Sequence, residues 1–380
     1  MRRLLVIMVL VGCAGEGDDA IDLPDNPEPE DVAWEWDLPA HVLEPVVPED
    51  NPMTEGKVEL GRHLFFDERL AENGEQACAT CHEPERAFSV DEPTSLGSTG
   101  EPGVRNAMAL VNVAWNATLT WADPALVRLE EQIPVPLYGR FPVELGVQDQ
   151  DAVIERLLED PVYPPLFERA FPGVDPTMHE VVWALSSFVR SLVSYDSPYD
   201  RHIEGDPTAM SDSALRGMAL FFSETAECHH CHGGPNLSTS EVHVGSVLIE
   251  RPFHNTGLYN VDGAGGYPLD NTGLFGHTGN PADMGKFRPP TLRNIAVTSP
   301  YSHDGSVATL EEALRNYGQG GRVIEDGPYA GDGRSNPYKS GFVSGFRTTE
   351  QERADLLAFL ESLTDETFLN DPSHADPWNE

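Results

Sequence analysis

Four of the five cysteines in the 380-residue chain form two Cys-x-x-Cys pairs, and each pair is followed at once by a histidine. The two motifs are Cys78-Ala79-Thr80-Cys81-His82 and Cys228-His229-His230-Cys231-His232. Both match the attachment pattern of c-type haem. Two thiols add across the vinyl groups, and the adjacent imidazole becomes the proximal iron ligand. The sequence therefore predicts two covalent c-type haems, with Cys78, Cys81 and His82 on one and Cys228, Cys231 and His232 on the other.

Three other interpretations of the paired cysteines are weaker. Local disulfides suit an oxidising compartment but have no use for the following histidine. A four-thiolate zinc site would need pairs roughly 15 to 20 residues apart, whereas residues 78 and 228 are far more distant in sequence. A thioredoxin-like redox motif needs a βαβ context, which the sequence does not show.

The sequence around each motif repeats. Gly61-Arg62-His63-Leu64-Phe65-Phe66 precedes the first motif and Gly217-Met218-Ala219-Leu220-Phe221-Phe222 precedes the second. Downstream, residues 184–192 align with residues 355–363, and both segments are apolar at helical spacing. Each half is thus predicted to contain, in this order, a helix, a haem motif, long loops and a closing helix.

This order predicts a mainly α fold of two cytochrome c-like domains, with long loops and little β structure. The expected domains span residues 51–200 and 201–370, and a tail follows at 371–380. The linker signal lies at residues 194–207, which carry two prolines and a glycine. The total of 34 glycines and 32 prolines agrees with extensive loops.

The N-terminus predicts export. Arg2 and Arg3 precede an apolar stretch too short to span a membrane, as in a signal peptide covering residues 1–12. Leu10-Val11-Gly12-Cys13 resembles a lipoprotein cleavage box, so we expect Cys13 to be lipidated and the protein to be periplasmic, anchored to the outer membrane. Residues 13–50 are acidic and Pro-rich and predict a tether. Alternatively, Trp34 and Trp36 hold part of it on the globular body.

The charge excludes one class of partner. The chain has 63 Asp and Glu against 24 Lys and Arg, a formal net charge of −39. Such a surface repels a phosphate backbone, so we expect no nucleic-acid partner.

Residues 51–370 resemble the bacterial dihaem cytochrome c peroxidase and MauG family. The most specific element is Phe287-Arg288-Pro289-Pro290-Thr291-Leu292-Arg293-Asn294, followed by residues 298–305. Within that family, the sequence is most similar to the methanobactin-associated MbnH branch. The similarity lies in four segments, residues 51–53, 119–124, 253–260 and 341–343.

The resemblance implies an unusual ligand for the second haem. Ordinary cytochrome c peroxidases carry Met where this chain has Tyr317, whereas the MauG and MbnH branches carry Tyr. A phenolate is a harder, more anionic ligand that favours oxidised iron. We therefore expect His232 and Tyr317 on the second iron, with Met284 as the alternative ligand or Tyr317 as a plain buried aromatic residue.

The resemblance also implies an open first haem. Family members that need reductive activation hold a blocking histidine soon after the first motif, but no histidine occurs between His82 and His179. The iron of His82 is then five-coordinate unless a residue such as Met108 binds it. Glu144 matches the family's distal acid, and Gln132 and Pro136 match other distal positions, although the Gln132–Glu144 spacing is two residues longer than expected.

Two further roles follow from the resemblance alone. Trp121 matches a tryptophan that relays electrons between the haems, although an ordinary core tryptophan is the alternative. Asn106, Thr298 and Pro300 match positions that hold a calcium ion through oxygen donors. In the loop at residues 241–283, His243, His254 and His277 suggest a metal, but surface or hydrogen-bonded histidines fit as well.

The family implies that hydrogen peroxide generates a high-valent dihaem state that oxidises a side chain of a partner protein. By analogy with the methanobactin-associated branch, the substrate is a tryptophan of a copper-binding protein, converted to kynurenine. The alternatives are a peroxidase supplied with electrons by a small redox protein, which a basic donor would suit, and an electron carrier without catalysis.

Overall fold

Helices dominate the regular structure of residues 31–379, the part of the chain that the computed structural model describes. The α-helices are α1 (Glu55–Phe65), α2 (Leu129–Gln132), α3 (Pro134–Tyr138), α4 (Gln150–Leu158), α5 (Tyr163–Ala170), α6 (Met178–Ser191), α7 (Pro198–Ile203), α8 (Asp212–Phe221), α9 (Phe275–Thr278), α10 (Leu310–Gln319), α11 (Glu350–Glu361) and α12 (Glu366–Leu369). Two short strands, β1 (Val323–Ile324) and β2 (Gly331–Asp332), pair antiparallel, with Val323 opposite Asp332. The mainly helical fold with little strand is confirmed.

The first repeat packs α1 against α6. A Cβ on Gly61 would overlap the carbonyl oxygen of Ala184, so glycine lets the two backbones approach closely. Phe65 follows on the same helix and meets Phe188 with ring centroids 5.2 Å apart. α6 begins at a capping box in which Thr177 and Glu180 satisfy each other's backbone amides.

The second repeat reproduces this packing between α8 and α11. A Cβ on Gly217 would overlap the carbonyl oxygen of Asp355, and the rings of Phe221 and Phe359 lie 5.0 Å apart. Asp355 aligns with Ala184 in the sequence repeat, so the two halves use the same glycine contact at equivalent positions. The aligned sequence segments therefore form the same helix pair in each half.

Each helix pair anchors its own apolar core. The first core contains α1, α6 and neighbouring loops, and the second contains α8 and α11. The chain end returns to the first core: Phe368 packs there, and Trp378 Nε1 donates to the carbonyl of His63 at 3.2 Å. Packing thus joins part of the C-terminal segment to the N-terminal half.

The described part of the predicted tether lies on the globular body. Trp36 packs edge-on against the buried Trp115, with ring centroids 5.9 Å apart. Trp115 Nε1 in turn donates to the carbonyl of Leu43 at 2.8 Å. Residues 36–43 are thus held by aromatic packing, as the alternative interpretation expected. The predicted signal peptide, Cys13 and the tether up to residue 30 lie outside the described residues.

Within residues 31–379, none of the helices is long and apolar enough to cross a membrane.

Candidate active site

The first motif lies on a short 3₁₀ turn, Cys78–Thr80, that follows α1. His82 Nδ1 lies 2.8 Å from the carbonyl oxygen of Phe88. Because a carbonyl only accepts, Nδ1 carries the proton and Nε2 keeps its lone pair for a metal. Phe88 is fully buried and adopts φ 59°, a strained conformation for a bulky residue, which directs its carbonyl at the imidazole.

The cysteines of both motifs are unpaired, so the disulfide interpretation is wrong for this structure. Burial raises the pKa of the Cys78 and Cys228 thiols to about 12. A reactive redox thiol needs a lowered pKa, so these cysteines do not suit a thioredoxin-like site. Protonated thiols beside an oriented imidazole fit covalent haem attachment.

The structure brings Glu144, Gln132 and Pro136 together. Gln132 ends α2, and Pro136 lies in α3, which follows almost directly. Leu145 N donates to the carbonyl of Pro136 at 2.9 Å, so the residue beside Glu144 is tied to this helix. The loop between α3 and Glu144 is open to solvent, and Phe141 in it is 88% exposed.

Two features suit these side chains to peroxide chemistry. Burial raises the pKa of Glu144, although its side chain keeps accessible surface. Burial is the main cause of the raised pKa values of the Cys78 and Cys81 thiols, and the negative charge of Glu144 raises them further. Gln132 Oε1 is buried without a hydrogen-bond partner among the described residues. An acid with a raised pKa near the first motif can accept and return a proton.

The second motif lines a cavity that reaches into both halves of the chain. Its 3₁₀ turn is Cys228–His230, and His232 Nδ1 lies 3.1 Å from the carbonyl oxygen of Pro290. Burial lowers the pKa of His232 to about 4, so the imidazole is neutral and Nε2 is available as a ligand. Cys228, Cys231 and His232 all line the cavity.

Tyr317 lies on α10 and lines the same cavity as His232. Burial, followed by the charges of Cys231 and Cys228, raises the pKa of Tyr317 well above its usual range. A free phenol here stays protonated, and ionisation requires a strong cation such as ferric iron. Met284 instead packs against an apolar cluster that includes Tyr267 and Phe287. His232 and Tyr317 therefore line one cavity, which Met284 does not line.

Arg288 lies in the family-specific block at residues 287–294, but its sequence position alone predicts no role for it. Arg288 lines the cavity, and burial lowers its pKa to about 10. Its guanidinium donates to the carbonyl of Thr120 at 3.1 Å and to Met108 Sδ at 3.1 Å, and no carboxylate within residues 31–379 pairs with it. A buried cation of this kind fits the propionates of a haem. Met108 is thereby engaged as a hydrogen-bond acceptor.

Two further histidines line the cavity: His303, which the sequence did not single out, and His254, which it indicated only as a possible metal ligand. His303 stacks on Phe287 with ring centroids 3.6 Å apart, and burial lowers its pKa to about 4. His254 forms a bridge to Phe287 and lies 3.4 Å from Ser340 Oγ. The Nε2 atoms of both imidazoles are buried without a hydrogen-bond partner in the described chain, and that of His303 lies 4.0 Å from Asp304 Oδ2. Only the long-range fold brings residues 254 and 303 to the second motif.

Trp121 lines this cavity, and its Nε1 donates to the carbonyl of Asn106 at 2.9 Å. Asn106, Thr298 and Pro300 border the same cavity, which agrees with a shared site for a calcium ion. Asn106 Nδ2 donates to the carbonyl of Glu92 at 3.1 Å, so its Oδ1 remains for a hard cation.

Two oriented Cys-x-x-Cys-His motifs on a mainly helical scaffold define a c-type haem oxidoreductase. The chain belongs to the dihaem cytochrome c peroxidase and MauG family. A model described as di-haem cytochrome c peroxidase matches residues 55–208. The chain is 35% identical to cytochrome-c peroxidase IdrP1 of Denitromonas iodatirespirans over 356 residues, covering 89% of each chain. It is 34% identical to methylamine utilization protein MauG of Methylorubrum extorquens over 317 residues, covering 83% of this chain and 80% of MauG.

One solved structure extends these findings. A MauG-like protein associated with microbial copper homeostasis is 49% identical in sequence and superposes with a TM-score of 0.89. The match covers 91% of this chain and 100% of that one. The family is one of haem-dependent peroxidases and oxidases, so haem cofactors and a peroxidase-like oxidoreductase activity follow.

Proposed function

We propose that the protein is an exported dihaem oxidoreductase that uses hydrogen peroxide to oxidise a side chain, tryptophan, of a partner protein. The observation that carries this proposal is the shared cavity of Trp121, Tyr317 and His232. An oxidisable indole lies there beside a haem motif that pairs a histidine with a phenol instead of a thioether. This arrangement suits storage and transfer of oxidising equivalents.

When bound, the haems supply the iron that reduces peroxide and store the two oxidising equivalents. Cys78, Cys81 and His82 hold the first, and Cys228, Cys231 and His232 hold the second. Glu144 accepts a proton from the near oxygen of peroxide and returns it to the leaving oxygen. The side-chain amide of Gln132 orients hydrogen peroxide. Pro136 keeps the backbone between Gln132 and Glu144 in a fixed conformation.

Tyr317 supports the choice of a protein oxidase. An anionic phenolate donates more strongly than a thioether and stabilises oxidised iron. Burial and nearby thiols disfavour a free Tyr317 phenolate, so the negative charge is stable only when a metal ion compensates it. Trp121 then carries electrons from the second site towards the first.

The partner is proposed from the structural neighbour described as associated with microbial copper homeostasis. We propose a copper-binding protein whose tryptophan is converted to kynurenine. Two hydrogen peroxide molecules add two oxygen atoms to the indole with release of two waters, and hydrolysis of the resulting N-formyl group releases formate. The net charge of −39 favours a partner with a basic docking surface.

A second candidate is a peroxidase that takes electrons from a small redox protein. The 35% identity to cytochrome-c peroxidase IdrP1 favours it, and a basic donor suits the acidic chain. The distal residues Glu144 and Gln132 serve both functions. Tyr317 separates them, because an electron-relay haem does not need a phenolate.

One experiment distinguishes the two. The holoprotein is given hydrogen peroxide together with either reduced basic cytochrome c or a tryptophan-containing copper-binding protein, at two equivalents of peroxide per copper-binding protein. We expect peptide mass spectrometry to find one tryptophan converted to kynurenine, with little cytochrome oxidation. Rapid oxidation of two cytochrome molecules per peroxide, with an unmodified copper-binding protein, would support the peroxidase.

The location is proposed from the N-terminus. Covalent haem attachment and the lipoprotein-like box at Cys13 together support a periplasmic protein held on the outer membrane by lipid. Cys13→Ser should release the protein from the membrane fraction, while the wild type stays in it. The lipid anchor would be contradicted if the wild type and the variant behaved alike.

A further inference from the structure

Three side chains with metal-binding atoms converge at the second motif, outside the haem cavity. Glu224 Oε1 lies 3.6 Å from His229 Nε2, and Glu224 Oε2 lies 3.3 Å from His230 Nε2. One ligand atom from each residue lies within 4.8 Å of the other two. Within residues 31–379, this is the one such group of three or more His, Cys, Asp or Glu residues.

The spacing fits a common ion better than direct pairing. A hydrogen bond between nitrogen and oxygen is typically 2.7–3.2 Å, so 3.3 and 3.6 Å are long. Metal bonds of about 2.1 Å place neighbouring ligand atoms about 3 to 3.4 Å apart in square-planar or tetrahedral geometry. The two nitrogen–oxygen separations, each to a different oxygen of the Glu224 carboxylate, are close to this range, and one ligand atom of each residue lies within 4.8 Å of the others.

The imidazoles are held apart from the haem cavity. Phe342 stacks on His230 with ring centroids 4.5 Å apart and planes 17° from parallel. The two histidine rings lie against each other at 4.2 Å, and His229 Nδ1 is buried without a partner in the described chain. The site is nevertheless open to solvent, because 78% of the Glu224 side chain is exposed.

We propose that Glu224, His229 and His230 form a binding site for a divalent transition-metal ion, with copper(II) as the preferred ion. Two imidazole nitrogens and a carboxylate oxygen suit copper(II), nickel(II) and zinc(II), and the Irving–Williams order places copper first. Water completes the coordination on the exposed side. The net charge of −39 raises the local concentration of cations and does not decide between them.

The position of this copper site lets a bound ion change the reduction potential of the second haem. His229 and His230 lie between the two attachment cysteines, and Phe342 lines the haem cavity while it stacks on His230. A dication held there adds positive charge beside the haem of His232. Such a charge raises the reduction potential of a neighbouring haem, because it disfavours the oxidised iron.

Copper binding tests the proposal on the holoprotein freed of metal by chelation. Copper(II) chloride is titrated into the wild type and into the double variant His229→Gln, His230→Gln, followed by calorimetry and electron paramagnetic resonance. We expect one copper(II) per chain with hyperfine coupling to two nitrogens. Affinity should fall at least about 10- to 100-fold in the double variant, since loss of a supporting residue alone has that effect. Glu224→Gln should weaken binding less.

The matched control is His277→Gln. His277 also faces a carboxylate, with Nδ1 3.7 Å from Asp123 Oδ2, but it belongs to no three-residue cluster. This control should bind copper like the wild type, and unchanged haem absorbance should show that each variant is assembled. Copper binding of equal affinity in the double variant, or no binding to the wild type, would overturn the proposal. A copper-dependent rise in the reduction potential of the second haem, absent in the double variant, would support the electrostatic effect of the bound ion.

Discussion

The indole Nε1 of Trp121 donates a 2.9 Å hydrogen bond to the backbone carbonyl of Asn106. This bond links the proposed electron relay to the residue expected to hold calcium, and both border the second haem cavity. The backbone amide of Asn106 is bonded in turn to the carbonyl of His303 at 3.0 Å. The tryptophan is thus fixed by backbone groups of two different loops, as a relay of defined geometry requires.

Replacing Trp121 tests the relay. Trp121→Phe removes the hydrogen bond and leaves a ring that is harder to oxidise. We expect peroxide to be consumed, while protein oxidation slows at least tenfold, equivalent to about 1.4 kcal/mol in the barrier. Stopped-flow absorbance and peptide mass spectrometry measure the two steps. Trp183→Phe is the control and should change neither step; this tryptophan lies in the first half and packs against His179, with ring planes 48° apart.

Glu144 should control the reaction with peroxide. Glu144→Gln keeps the shape but cannot move a proton, so the rate should fall about 10²- to 10⁴-fold. As a base, Glu144 acts ionised, so the wild-type rate should rise as pH rises through its pKa. Partial desolvation raises that pKa, which places the rise at higher pH than for a fully solvated glutamate. The Glu144→Gln variant should lack this rise. The control Glu101→Gln should keep it; Glu101 lies in the loop whose Ser98 N donates to the Glu144 carbonyl.

The repeated glycine contact predicts a stability difference between two alanine variants. Gly217→Ala puts a methyl group against the carbonyl of Asp355 and forces α8 away from α11, at a cost of about 1–3 kcal/mol. Gly318→Ala, in α10, meets only ordinary contacts and should be neutral or stabilising by up to about 1 kcal/mol. Denaturant unfolding measures both. Equal stability of the two variants would contradict the close approach.

Glu241 should make stability depend on pH. Burial raises its pKa to about 7, so the folded protein holds this proton more tightly than the unfolded chain does. The folded state is then favoured at low pH, and stability is lost as pH rises from about 4.5 through 7. Glu241→Gln should remove this loss, raising stability at pH 8 by about 2–3 kcal/mol at most. The exposed Glu155→Gln should change stability by less than about 0.5 kcal/mol at either pH.

The helical framework was predictable because its signals are local. The Gly-x-x-Leu-Phe-Phe segments and the aligned closing segments repeat at helical spacing, and they form the pairs α1–α6 and α8–α11. Cys-x-x-Cys-His is also local, since it encodes two thiols and an imidazole on one turn. Gly61 and Gly217 stand at equivalent places, so one half predicts the packing of the other.

The supporting contacts were not predictable because they join distant parts of the chain. His232 takes its orientation from the carbonyl of Pro290, and Arg288 reaches Met108 across 180 residues. Trp378 returns to His63 from the far end of the sequence. The carbonyl that orients His82 depends on a positive φ at Phe88, which no residue preference indicates. Glu144 could be assigned only through resemblance, as one of 63 acids.

The central claim is an open first haem paired with a tyrosine-ligated second haem. The most direct test is electronic and electron paramagnetic resonance spectroscopy of the oxidised holoprotein and its Tyr317→Met variant, before and after peroxide, without prior reduction. We predict one high-spin and one low-spin ferric haem and a long-lived oxidised state after peroxide, which the variant loses. Two low-spin haems that ignore peroxide until one is reduced would contradict the claim.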